Sequence, residues 1–285
     1  MSGTIAVVTP AYAAERWIGA CARSVIAQTY RDWQHWIIAD DGRDYEALLE
    51  QEGLRDERQI FLASNNVGGG ASRARNVALE RITAFYVAIL DADDRFKPHK
   101  LAQAAAALEH FPIVSCALEE FDETERHLRP VGEGPDGALS PANYKWTNLS
   151  MDSMLLWDRR KTDARYDTEL TNMTDLELLL QLYRSVPRSF HLGTPLHDYL
   201  KLGVSMSNGP GVTEKMVRSK RELLRRLEAG FYPMADPAGP AGMAEFLTIS
   251  LAAEQTYPAA LATTPGLLFE DHIEPRLRAR STSST

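Results

Sequence analysis

Four apolar runs in the N-terminal third each stop abruptly at a polar turn: TIAVVT before PAY, HWIIA before DDG, QIFLA before SNN and FYVAIL before DADD. A strand covered on both faces reads as a near-continuous apolar run, whereas a half-exposed strand alternates. Helical spacing fills the intervals. Trp17, Ile18, Cys21, Ala22, Val25 and Ile26 share one helical face, and Ala71, Ala74, Val77, Ala78 and Ile82 share another. After the fourth run, Pro98 is expected to open the alanine-rich helix PHKLAQAAAALEHF, in the first turn where proline is tolerated. Strand–helix alternation with right-handed crossovers implies an α/β chain on a doubly wound, mostly parallel sheet. Residues 1–118 form this unit.

The remainder is less regular. From 119 to 150 the chain turns polar and loop-like, with PVGEGPDGALSP as an excursion. DSMLLWDR reads as a strand, TDLELLLQLYRSV as a helix ending before Pro187, and SFHLGTPLHDYLKLG as one or two final strands. Residues 119–207 complete the sheet domain, and 208–285 form a C-terminal helical appendage. In it lie a basic amphipathic helix, EKMVRSKRELLRRLEAG, a Pro/Gly-rich break at 233–242 and a further helix, before a tail, RARSTSST, expected to be disordered. The basic helix could meet an anionic membrane face or a second copy of the chain, although a solvated surface is the simpler reading.

Composition removes several functions. A net charge of −8 over 285 residues argues against nucleic acid as a partner, because phosphate backbones demand a basic face. No run approaches the ~20 residues of a membrane span, and MSGTIAVVTP reads as a strand, not a signal peptide. Cys21 and Cys116 give neither zinc spacing nor a disulfide framework, so a reducing cytoplasm is the expectation, with peripheral attachment at the inner membrane face left open. There is no G-x-S-x-G elbow and no H-E-x-x-H among the seven histidines.

In an open parallel sheet, ligands bind outside the carboxyl ends of the strands, where strand order reverses. Those ends carry Asp40 and Asp41 after the second run, and Asp91, Asp93 and Asp94 after the fourth. If the first strand lies between these two, both acidic clusters face one crevice. Crowded carboxylates repel unless a cation neutralises them, and hard oxygen ligands suit Mg²⁺ or Mn²⁺, which keep waters and accept substrate phosphates. Acidic residues also cap helices, and Asp94 could do so ahead of Pro98. NNVGGGASRARN is not a dinucleotide fingerprint, since Arg73 stands where the last glycine belongs; its glycines read as a turn into a helix.

In the order VVTPAY, SVIAQTYRDWQHWIIADDG, ARNVAL and ILDADDRFKPHKL, the chain resembles the inverting GT-A glycosyltransferases of family 2, over residues 4–118 with a weaker continuation to about 207. The resemblance implies a nucleotide-sugar-binding half at 1–118 and an acceptor-binding half at 119–207. It places Pro10, Ala11, Tyr12 and Asp41, with Asp40 beside it, around the nucleobase, and Arg75 and Asn76 near the nucleotide. Asp91 and Ala92 would face ribose and sugar, and Asp93 would hold Mn²⁺ or Mg²⁺. UDP is the commonest nucleotide in the family. Asp175 matches the general base, although Thr174 replaces its acidic neighbour; Glu177 is the substitute candidate. YLKLGVSMS departs from the polar strand usual before GS-x-S, leaving His197 and Lys201 as weak replacements. The implied activity moves one sugar to an acceptor hydroxyl of unidentified nature, sugar or lipid-linked. Two alternatives remain: a nucleotide-sugar-forming nucleotidyltransferase, which would want a glycine-rich basic loop in place of PAYAAERW, and a non-catalytic nucleotide-sugar binder.

Overall fold

The computed structural model describes residues 3–147, 149, 151–203 and 211–282; the GVSMS stretch beyond Gly203 and the last residues of the tail lie outside them. β1 (Ile5–Ala11), α1 (Ile18–Ile26), β2 (Trp33–Ala39), α2 (Tyr45–Gln51), β3 (Gln59–Ala63), α3 (Ala71–Leu79) and β4 (Tyr86–Ile89) realise the alternation of apolar runs and helical intervals. β5 (Arg95–Phe96), α4 (Lys100–Leu108), β6 (Ile113–Asp122), β7 (His127–Val131), β8 (Gly137–Leu139) and β9 (Leu155–Asp158) follow. The chain then forms α5 (Thr174–Leu182), β10 (Ser189–Lys201), α6 (Val212–Glu228), α7 (Gly239–Thr263) and α8 (Phe269–Thr282).

One sheet runs in the order β3-β2-β1-β4-β9-β6-β10-β5, with β7 added to β6 and β8 to β10. β1 lies between β2 and β4 and is parallel to both, so the turns after β2 and β4 open on one crevice. β9 is antiparallel to β4 and to β6, and it joins the parallel part to the β6 and β10 side of the sheet.

Strand alternation sends Ile5 and Val7 to one face and Ala6 and Val8 to the other, and all four are fully buried. Burying an Ile, Leu or Val side chain contributes about 1.5–3 kcal/mol, so a strand covered on both sides gains from every residue. The first face packs on α1, α2 and α4. The second packs on α3 and α5 and, through Leu223, Leu227, Phe246, Leu247, Ile273 and Leu277, on the C-terminal helices. The helical extension therefore shares the domain's core.

Three local expectations need correction, and one left open is resolved. α4 begins at Lys100, with Pro98 and His99 in the preceding turn. The segment after 118 is not a loop, because β6 continues to Asp122 and returns through Glu125, at φ 64°, as β7. The last strand region is a single β10, whose pairing with β6 shifts register on either side of Pro195, where no N–H can join the ladder. Residues up to Thr282 belong to α8. On α6, Lys220 is buried and Arg226 half-buried, while Lys215, Arg218, Arg221 and Arg225 stay exposed. Among the described residues no helix is long and apolar enough to cross a membrane.

Candidate active site

A cavity of about 630 Å³ opens at the carboxyl ends of β1 and β4. Pro10 and Ala11 end β1 on its wall, and Tyr12, 63% exposed, stands at the rim. The chain then passes through Ala13 at φ 49°, a left-handed conformation that costs a non-glycine residue and needs external support. Asp41 supplies it: its Oδ2 accepts the Ala13 N–H (2.7 Å) and the Tyr45 hydroxyl (2.7 Å), and its Oδ1 accepts the Arg43 N–H (3.1 Å). Burial works against ionisation there, but these donors outweigh it and hold the carboxyl below its ordinary range. Asp41 is not among the residues that line the cavity, and its contacts brace the turn that carries Tyr12.

Asp40 does reach the wall, with its oxygens already engaged. It accepts the Ser64 hydroxyl (2.5 Å) and the N–H groups of Gly69 (3.2 Å) and Gly70 (2.8 Å). Gly70, at φ 92°, caps α3, and a side chain at that dihedral would be strained. The glycines thus turn the chain into α3 and tie it to Asp40.

α3 delivers Arg75, 5% exposed, into the cavity wall, whereas Arg73 stays in solvent. The guanidinium bridges Asp91 Oδ1 (2.5 Å) and Asp152 Oδ2 (3.0 Å) and lies over the Tyr166 ring (5.1 Å). Its Nε has no partner. Burial disfavours the charge, yet the two carboxylates more than offset it and raise the guanidinium's affinity for its proton. Asp152, in a one-turn helix before β9, also accepts the Tyr166 hydroxyl (2.9 Å). Nothing in the sequence drew attention to it. The clue was an acidic residue inside SMDSM, directly before a strand too apolar to sit near solvent.

Asn76 does not face the cavity. Its amide donates to the Tyr166 carbonyl (2.9 Å) and accepts the Tyr166 N–H (2.9 Å), ninety residues on. Asn76 thereby clamps the loop leading to α5. Asn76→Ala is expected to cost about 1–3 kcal/mol, the loss from stranding two backbone groups, readable as a lower urea midpoint; an unchanged midpoint would remove the clamp.

Asp91, Ala92 and Asp93 follow β4 along the floor. Asp93 forms no ion pair among the described residues, and burial together with Asp91 pushes its carboxyl up to about 6. A carboxylate enclosed without a countercharge fits a divalent cation. No group of three or more acidic, histidine or cysteine ligands forms among the described residues, so a bound ion would take its other oxygens from substrate and water. Asp94 is no helix cap. It is fully enclosed, bonded to His197 Nε2 (2.8 Å) and the Leu200 N–H (2.8 Å), and fastens the acidic turn to β10. His197 is consumed by that contact and by Lys100, and Lys201 pairs with Glu270 (2.8 Å), so neither serves the cavity. Tyr199, Leu200 and Leu202 line it instead.

Met173 takes φ 60° and starts α5, placing Thr174 and Asp175 in its first turn on the cavity. Asp175 is enclosed by protein but keeps surface open to the cavity. Burial, reinforced by Asp152 and opposed by Lys145 and the Leu176 N–H, raises its carboxyl to about 6. Glu177 points away, bonded to Gln181 and the Tyr232 hydroxyl, and is withdrawn as a substitute base. α6, α7 and α8 close this end with Met216, Phe246, Phe269 and Ile273.

The 3-2-1-4 strand order, the acidic turn beyond β4 and the carboxylate-bearing helix across the cavity define a GT-A glycosyltransferase. The solved structures that match agree on the fold. Staphylococcus aureus TarS residues 1–349, crystallised with UDP-GlcNAc, superposes with a TM-score of 0.68 at 16% identity, over 97% of this chain and 83% of that one. The mannosyltransferase PcManGT from Pyrobaculum calidifontis, in complex with GDP-Man and Mn²⁺, gives 0.58 at 15% identity, over 100% of this chain and 80% of that one. The profile of glycosyl transferase family 2 matches residues 6–175, and the chain belongs to that family. A relative in Bacillus subtilis (strain 168), assigned to teichuronic acid biosynthesis as the glycosyltransferase TuaG, is 38% identical over 212 residues, 72% of this chain and 81% of its own.

Proposed function

We propose that the chain transfers a single sugar from a nucleoside-diphosphate sugar, with UDP as the nucleotide, to an acceptor hydroxyl with inversion, in the synthesis of a surface polysaccharide or related glycoconjugate. The observation that carries this reading is one cavity lined by both Asp93, from the turn after β4, and Asp175, from the first turn of α5. Two separated carboxyl groups, one unpaired and one at a helix start, suit the two halves of a displacement at an anomeric carbon. UDP-GlcNAc in TarS, GDP-Man with Mn²⁺ in PcManGT and the teichuronic acid assignment of TuaG support the donor type, the cation and the biosynthetic setting.

Pro10, Ala11 and Tyr12 would line the nucleotide end, with Arg75 and Asp91 toward the ribose and sugar. Asp175 accepts the acceptor's hydroxyl proton as the oxygen attacks the anomeric carbon from the side away from the diphosphate. The new C–O bond forms as the bond to the diphosphate oxygen breaks, and the nucleoside diphosphate leaves with that electron pair. A Mn²⁺ or Mg²⁺ ion held by Asp93 would supply charge neutralisation for the departing diphosphate.

A thermal-shift panel of nucleotide-sugars with and without Mn²⁺ tests this directly. The correct donor is expected to raise the midpoint far more with Mn²⁺ present, since ligand that binds only the native state stabilises it. Asp93→Ala should abolish that difference and lower metal-dependent donor turnover about 10²-fold, the loss of a few kcal/mol of charge stabilisation. Full turnover in the variant would remove Asp93 from the metal role.

A further inference from the structure

Beyond Asp175, the cavity holds two hydrogen-bond donors that the transfer chemistry does not use. Lys145 sits in a one-turn helix (Tyr144–Thr147), 2% exposed, with Nζ 4.6 Å from the centre of the Phe246 ring. Among the described residues it makes no ion pair or hydrogen bond. Lys220, on α6 at the same end, is already neutralised by Glu254 (2.5 Å), and Glu270 by Lys201. Burial pushes the Lys145 ammonium down to about 7, with Asp175 drawing it up and Lys220 adding to the fall. Ser250 lies on α7 one turn beyond Phe246, 1% exposed, and its hydroxyl has no partner among the described residues. Both residues line the cavity.

An enclosed ammonium that feels Asp175 but makes no direct ion pair or hydrogen bond among the described residues, and an enclosed hydroxyl with no partner among them, each cost stability unless something completes them. Lys145 lies over the Phe246 ring, and Phe269 and Ile273 add apolar lining to the same cavity. A charge-assisted hydrogen bond is strongest in such surroundings. We infer that Lys145 and Ser250 form an anion subsite at the acceptor end, so that the acceptor carries an oxyanion, phosphate or carboxylate, beside the hydroxyl that is glycosylated. This rests on the transferase reading for the acceptor's presence, but not for the subsite itself. A bound oxyanion gives Lys145 the direct contact that Asp175 does not make and accepts the Ser250 hydroxyl, leaving Asp175 to take the proton.

The test is calorimetric titration of the full chain, saturated with UDP and Mn²⁺ to occupy the diphosphate site. The probes are glycerol 3-phosphate, methyl β-glucuronide and, as a neutral control, methyl β-glucoside. At least one anionic probe is expected to bind and the neutral one not, and the pair that differs tells phosphate from carboxylate. Lys145→Met should weaken that probe about tenfold or more, and Ser250→Ala about threefold, as expected for a charged and a neutral hydrogen bond, with UDP affinity unchanged. Equal binding of the neutral glycoside, no binding of either anion, or anion binding indifferent to both variants would overturn the subsite. Failure of UDP to bind the wild-type chain would instead strike the transferase reading, and the anion titration without UDP would still report on Lys145.

Discussion

Asp175→Asn is expected to reduce sugar transfer about 10³- to 10⁴-fold, the upper range for loss of a positioned general base, while leaving the UDP dissociation constant within about twofold. The amide keeps the size of the side chain at the start of α5 but cannot take a proton at neutral pH. The donor half of the cavity, from Pro10 to Asp93, is built by other elements and should not feel the change. Because burial raises Asp175 to about 6, protonation of the base should cost wild-type kcat/KM about tenfold per pH unit below that value. The variant should lack that component and keep only the loss from protonation of Asp93, whose carboxyl is raised to about 6 as well. Stability moves the other way. The folded carboxyl keeps its proton to about pH 6 against an ordinary value of 3.8, so its ionisation opposes folding. That cost is fully present above about 6 and absent below the ordinary value. Asp175→Asn should therefore hold or raise the melting midpoint at pH 7. Donor turnover, followed by nucleoside diphosphate release with the donor found in the thermal-shift panel, reads the rate. Retention of transfer within about threefold would place the base elsewhere.

The parallel half of the sheet was legible because burial on both faces writes itself as uninterrupted apolar sequence. The polar turns that end such strands are where ligands collect. Asp91 and Asp93 stood out for that reason. The β6–β7 hairpin did not, since Glu119, Glu120, Glu123 and Arg129 make an edge-side strand pair look like a solvated loop. Glu120 is in fact fully buried, near Lys201 (3.8 Å) and Glu270, partners that sequence distance conceals. Asp94 stayed ambiguous on the same ground. A cap was the nearest local partner, but its true partners, His197 and Leu200, lie more than a hundred residues on. Lys145 and Asp152 are single charges in irregular stretches, with no spacing to mark them. Their meaning comes only from what the fold encloses around them.

Arg75 shows how far that enclosure reaches, and its removal should be the most damaging single change to stability at the site. Arg75→Met preserves much of the apolar stem on α3 while stranding Asp152 in the interior and Asp91 at the cavity floor. Removing one partner of a buried ion pair costs about 3–5 kcal/mol. In a chain of this size that is a drop of on the order of 10 °C in melting midpoint. Asp152 limits the loss, because burial already lifts its carboxyl above the ordinary range and an orphaned acid can keep its proton. Arg75→Lys should recover little, since a single ammonium cannot span the two carboxylates as the planar guanidinium does. The decisive comparison is Arg75→Met with Asp152→Asn in the same chain. If the cost comes from a stranded charge, the double variant should regain more than half of the lost midpoint, because a neutral amide can still accept the Tyr166 hydroxyl. Additive losses would mean that Arg75 stabilises by packing on Tyr166 instead. Donor affinity should not return with stability, since Asp91 remains without the cation that orients it, and that separation distinguishes the positioning of Asp91 from the integrity of the fold.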